Sequence, residues 1–162
     1  MLILSIDPGT KQSGFVVYDT EKQEILDKGI LLNEELVEKV WTYNKGEQYP
    51  SVLVYEGMHL YHSVSQDTLE TLMWIGEFRF AFRMCDYKEP CIEIKRSTIR
   101  KHFEVKNDSG IRVALIDRFG GSRSVAVGTK KQKGKLYGVK SHIWSALAVA
   151  IYYAETTGAN SE

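Results

Sequence analysis

Three observations predict a single α/β domain built on a mixed five-stranded sheet flanked by helices. Short apolar runs of strand length recur along the chain, the first three too close together for helices between them. The later runs alternate with segments of helical period, and the chain closes on a strongly apolar helical stretch. Its 162 residues suit one domain, and no internal repeat divides them, so residues 1–162 are read as one unit. The expected order is β-β-β-α-β-α-β-α-α.

Leu2-Ile3-Leu4-Ser5-Ile6 reads as a buried strand stopped by the turn residues Asp7-Pro8-Gly9. Gly14 to Tyr18 gives a second strand and Glu24 to Leu31 a third, completing a meander. Asn33 can cap a helix to about Asn44, with Leu36, Val37, Val40 and Trp41 at helical spacing and Glu34 and Glu35 in its first turn. Ser51 to Tyr55 is apolar enough for the sheet centre and ends at Glu56-Gly57. A longer helix spans about Ser65 to Met84. Leu69, Leu72, Met73 and Phe80 share one face, while Trp74, Phe78 and Phe82 widen the apolar surface beyond what one sheet face needs. Ordinary core explains that surplus, and so does a dimer contact. Pro90 to Ile94 is the fifth strand. Ser97 can cap a short basic helix, and Gly110 to Phe119 forms another. Residues 120–140, rich in Gly, Lys and Ser, read as a flexible basic loop. Ser141 then caps a helix from His142 to about Thr156, apolar on nearly all sides and therefore buried.

The net charge is zero, yet the charges are segregated. Residues 1–94 carry −8, residues 95–140 carry +10, and the remainder carries −2. A neutral chain with one concentrated basic third can present a cationic surface to nucleic acid, although a solvated lysine-rich loop accounts for the charge equally well. The apolar stretch Ala146 to Tyr153 is too short to span a bilayer, and no export signal is visible. Cys85 and Cys91 lack metal spacing and read as free buried thiols of a reducing cytoplasm.

Asp7 and Glu56 each end an apolar strand, at the sheet edge where α/β folds place ligands. If the first and fourth strands are neighbours, the two carboxylates converge and repel unless a hard cation neutralises them. Mg²⁺ does this with one or two carboxylates, leaving positions for water and phosphate oxygens. Asp7 alone would read as a turn cap; the pairing with Glu56 favours a metal site. Pro8-Gly9-Thr10 and Gly14 are small enough to let backbone amides approach a phosphate, as any tight turn would also allow. Lys130, Lys131, Lys133, Lys135 and Lys140, spaced by glycines, can drape over a phosphate backbone, and Lys95, Arg96, Arg100 and Lys101 extend that track. His59, Leu60 and Tyr61, with His62, follow Glu56 and can wedge into a distorted base step or simply pack a loop.

Taken together, residues 4–19 (Leu-Ser-Ile-Asp-Pro-Gly-Thr through Tyr-Asp), 54–58 (Val-Tyr-Glu-Gly-Met) and 142–150 (His-Ile-Trp-Ser-Ala-Leu-Ala-Val-Ala) resemble three signatures of the RuvC-type Holliday-junction resolvases, in order and spacing. The chain is as similar to phage-encoded members as to bacterial ones. The resemblance implies an RNase H-like fold, a homodimer, and incision of four-way DNA junctions that depends on Mg²⁺, with Mn²⁺ as substitute. It makes Asp7 and Glu56 metal ligands and His142 the first ligand or proton-relay position of the final helix. Ser145 stands where the family pattern places an aspartate. A natural variant with weaker binding of a second ion, a designed inactivation and a junction binder that does not cut all remain open at this point.

The leading expectation is a metal-dependent endodeoxyribonuclease of branched DNA, with Asp7, Glu56, His142 and Ser145 as the catalytic set. A non-cleaving junction-binding protein of the same fold is the alternative. Third comes a nuclease of the type that trims ribosomal RNA precursors, which opens with a similar Asp-Pro-Gly-Thr-Lys but lacks the Glu-Gly found here at 56–57. Actin-like ATPases share the opening turn, but 162 residues cannot hold the two domains they need.

Overall fold

The computed structural model describes residues 1–43, 50–60, 63–84 and 90–158. Five strands, β1 (Leu2–Asp7), β2 (Gln12–Asp19), β3 (Glu24–Leu32), β4 (Val52–Gly57) and β5 (Cys91–Lys95), form one sheet in the order β3-β2-β1-β4-β5. The meander β1-β2-β3 pairs antiparallel, whereas β4 runs parallel to β1, and β5 to β4, because a helix separates each pair in sequence. The helices are α1 (Asn33–Tyr43), α2 (Gln66–Arg83), α3 (Arg96–His102), α4 (Asp108–Gly120), α5 (Arg123–Ala126) and α6 (His142–Thr156).

Strand periodicity divides the core into two layers. Leu4, Ile6, Leu53 and Tyr55 face α1 and α2, where Leu36, Val40, Ile75, Phe78 and Phe82 cover them. Ile3, Val52 and Val54 face the other way, onto α6 with Leu115 of α4. Buried on nearly every side, α6 packs against β1, β2 and β4, as its uninterrupted apolar sequence demands.

Several expectations need correcting. On α2 the buried stripe is Thr71, Ile75, Phe78, Ala81 and Phe82, so Leu69, Leu72, Met73 and Phe80 form the exposed face. Periodicity could not choose between two apolar faces of one helix; the sheet did. Residues 120–140 are not a free loop: α5, the bridge between Gly128 and Lys133, and the buried side chains Ala126, Leu136 and Val139 tie them to the α6 layer. Single apolar anchors between glycines and lysines leave no period to detect. Ser97 lies inside α3, Ser141 caps α6 without a side-chain hydrogen bond, and Asn33 opens α1 with its side chain turned to the loop after β1. Cys91 is half-buried, and Cys85 lies outside the described residues. Among the described residues, no helix is long and apolar enough to cross a membrane.

Candidate active site

The register of β1 against β4 pairs Ile6 with Tyr55, so Asp7 and Glu56, one residue further along each strand, leave the same end of the sheet. Alternation puts them on the same face as Ile3 and Val54, toward α6. Two contacts fix α6 there. Ser5 Oγ donates to the Ala146 carbonyl at 2.6 Å, and Gly14 lets β2 approach so closely that a Cβ would lie 2.7 Å from the His142 backbone. The first residue of α6 thereby reaches β1, and His142 Nδ1 lies 2.8 Å from Asp7 Oδ2. With Asp7 ionised, Nδ1 is the donor; in the neutral imidazole this puts the lone pair on Nε2.

Both carboxylates are desolvated, with side-chain exposures of 8% for Asp7 and 12% for Glu56. Burial pushes the Asp7 carboxyl above its ordinary range, against the His142 hydrogen bond that favours its ionised form. Glu56 is raised too, chiefly by burial, with Arg96 opposing and the charge of Asp7 adding to the rise. Arg96 Nε lies 2.5 Å from Glu56 Oε1, and Arg96 Nη1 lies 3.3 Å from Asp108 Oδ2 at the start of α4. Arg100 Nη2 holds the other Asp108 oxygen at 2.9 Å, and that hydrogen bond keeps the Asp108 carboxyl below its usual range.

A cleft of about 540 Å³ opens over Asp7, Glu56 and His142, and Arg96, Ser97, Arg100, Met58 and His59 line it as well. Ser145 does not line it. One turn beyond His142, it borders a separate cavity of about 40 Å³ behind the Glu56–Arg96 pair, together with Asp108. Of the residues expected to bind nucleic acid, Arg96, Arg100 and His59 reach the cleft. Lys95 and Lys101 are exposed on and after β5, and Leu60 is exposed beyond β4. Lys130, Lys131 and Lys140 are exposed, Lys133 lies over the Tyr137 ring, and Lys135 Nζ donates to the Gln23 carbonyl; none of these lysines lines the cleft. Tyr61 and His62 lie outside the described residues. The Gly9 amide, expected to approach a phosphate, donates to Ser13 Oγ, whose own hydroxyl donates to Asn33 Oδ1. Asp108 escaped sequence reasoning, although Asn107-Asp108 is a helix-start signal: the Asn107 side chain accepts from Gly110 N and starts α4 two residues before its expected beginning.

The donor set fits one hard divalent cation. Two buried carboxylates side by side, both destabilised as anions, favour a cation between them, and Mg²⁺ asks for no more than one or two carboxylates with water and phosphate oxygens. It does not form a cage for more: among the described residues, no group of three or more His, Cys, Asp and Glu side chains is arranged to hold a metal ion.

No family model matches this sequence. No curated protein matches it either. Solved structures do match over nearly the full chain. A Thermus thermophilus RuvC in complex with a Holliday-junction substrate superposes with a TM-score of 0.59 at 16% identity, covering 96% of both chains. The Fowlpox virus resolvase in complex with its substrate Holliday-junction DNA gives 0.52 at 12% identity, covering 97% of this chain and 99% of that one. The yeast mitochondrial Holliday-junction resolvase Ydc2 gives 0.55 at 12% identity, over 93% and 76%. The mixed five-stranded sheet with helices on both faces, expected from the strand pattern, is thus found again in these neighbours: the chain has the RNase H-like fold of the RuvC-type resolvase structures.

Proposed function

We propose that this chain is a structure-selective DNA endonuclease that resolves four-way junctions, with Asp7 and Glu56 holding Mg²⁺, or Mn²⁺ in its place. The observation that carries this reading is the meeting of two desolvated carboxylates and His142 in one open cleft at the end of adjacent parallel strands. When bound, the cation supplies neutralising charge to the scissile phosphate and makes water a better nucleophile. Asp7 orients the His142 ring through Nδ1, which leaves Nε2 to accept a proton from the attacking water. Arg96 and Arg100 give the cleft a cationic wall for phosphate oxygens. The exposed lysines from Lys95 to Lys140 hold the junction arms outside it.

Two of the structural neighbours named above are complexes with Holliday-junction DNA, which supports branched DNA as the substrate. A homodimer would place two such clefts on one junction, and the exposed apolar face of α2, with Met73 72% and Phe80 56% exposed, supplies a contact for it. The compartment that goes with this reading is the cytoplasm of a bacterial or phage-infected bacterial cell.

The test is incubation with a labelled four-way junction beside linear duplex, Y-fork and RNA controls, with and without Mg²⁺ and Mn²⁺. Paired, ion-dependent nicks in the junction are expected. Cleavage of RNA alone would move the chain to ribosomal RNA processing. Tight, salt-sensitive junction binding without a nick in either ion would leave the non-cutting reading that Ser145 suggests, and Ser145→Asp should then create activity.

A further inference from the structure

Beside Glu56 the structure holds a fixed cation. Arg96 Nε sits 2.5 Å from Glu56 Oε1, its Nη1 reaches Asp108, and Asp108 is held in turn by Arg100. The Arg96 side chain is 36% exposed and borders both the main cleft and the small cavity that Ser145 faces. In that cavity the charged groups are two acids, Glu56 and Asp108, and two arginines, Arg96 and Arg112, so the local charge is already balanced. Its volume, about 40 Å³, suits a water molecule or two rather than a hydrated ion with its own ligand shell. A second divalent ion there would have to displace a guanidinium from Glu56 and would find a hydroxyl at position 145 where it needs an anionic oxygen.

Resting on the nuclease reading above, we infer that Arg96 is the second cation of this site: its guanidinium takes the place of a second metal ion beside Glu56, so that one divalent ion suffices. Asp108 is the positioning residue, which with Glu56 fixes the plane of the guanidinium at the cleft wall. The chemistry is well suited to this. Both Arg and Mg²⁺ clamp the oxygens of a transferring phosphoryl group, and a planar fork held in place by two carboxylates costs no reorganisation when charge develops on the phosphate. Ser145 then follows from Arg96, because a third carboxylate would leave the pocket over-charged once a guanidinium fills it.

The decisive experiment counts ions. Metal-free native protein is titrated with Mn²⁺, and free ion is read by electron paramagnetic resonance. One ion per chain with the spectrum of an isolated centre is expected. The double variant Arg96→Met with Ser145→Asp should take up two, with the coupled spectrum of ions about 4 Å apart. Steady-state cleavage kinetics supply the second readout. Arg96→Met should lower kcat by ~10²–10³-fold with little change in junction affinity, and Arg96→Lys should restore part of it. Asp108→Asn should lower kcat by ~10–100-fold at unchanged KM. Two ions in the native protein, or full kcat in Arg96→Met, would overturn the inference and leave the nuclease reading standing. No ion at all would remove the metal-dependent reading and the inference with it.

Discussion

Asp7 carries opposed demands: it must be buried to converge with Glu56, and it must be ionised to hold a cation. Its carboxyl is raised above 3.8 chiefly by burial, so the fold favours the neutral acid. The stability this contributes is fully present below pH 3.8 and is lost as pH rises through the raised value. Asparagine imitates the neutral acid at every pH. Asp7→Asn in chelator should therefore melt above the native protein at pH 7, with the gap closing as the pH falls toward 4, in thermal unfolding at a series of pH values. Mg²⁺ should raise the melting temperature of the native protein by mass action and leave that of the variant unmoved. Cleavage by the variant should fall by ~10³-fold or more, because a cation contributes several kcal/mol to such a transition state. A variant that melts lower than native protein at pH 7 would show that the His142 contact outweighs desolvation.

Two helix starts govern the site at the scale of elements. At α6, the approach of Gly14 to the His142 backbone sets how far His142 stands from Asp7. Gly14→Ala places a methyl where 2.7 Å is available and must push the first turn of α6 outward. A loss of about 1–3 kcal/mol in denaturant unfolding is expected from overpacking, and a displacement of ~1 Å should cost on the order of 10²-fold in cleavage rate. At α4, the Asn107 cap aims Asp108 at both arginines. Asn107→Ala should cost about 1 kcal/mol in the same unfolding experiment and should lower kcat along with it, whereas Ser65→Ala, the cap of the remote α2, should cost similar stability at full kcat. Equal kinetic effects of the two cap losses would disconnect α4 from the site.

For the whole molecule, the basic segment and the exposed face of α2 are the surfaces through which partners would be met. Leu136 is fully buried, so Leu136→Ala should destabilise the domain by about 2–5 kcal/mol, while the adjacent, exposed Lys135→Ala should stay within about 0.5 kcal/mol. In junction binding at varied salt, removing a lysine that meets a phosphate should weaken binding uniformly and flatten the salt dependence by roughly one ion. Met73→Glu with Phe80→Glu puts charge on the exposed α2 face without touching the core stripe. If the native protein sediments as the proposed dimer, this variant should sediment at half its mass and melt somewhat lower, since association no longer stabilises the fold by mass action; an unchanged mass would remove α2 from any dimer contact.

Local pattern was enough to prescribe the five strands, the long helices and the two carboxylates at strand ends. Each of these follows from a local rule: a short apolar run bounded by turn residues reads as a buried strand, and an acid that ends such a run lies where the strand leaves the sheet. It also marked His142 as the opening of a buried helix. Packing settled the choices between equivalents and the pairings at a distance. The sheet chose which apolar face of α2 to cover, and α6 gathered Leu136 and Val139 from a segment whose composition suggested a free loop. The junction of β5 with α3 turned Arg96 from one member of a basic track into the partner of Glu56, 40 residues away, and of Asp108. Periodicity records which side of an element is buried. It holds no record of which charged group on another element lies within hydrogen-bond reach, because that distance is set by how the elements pack.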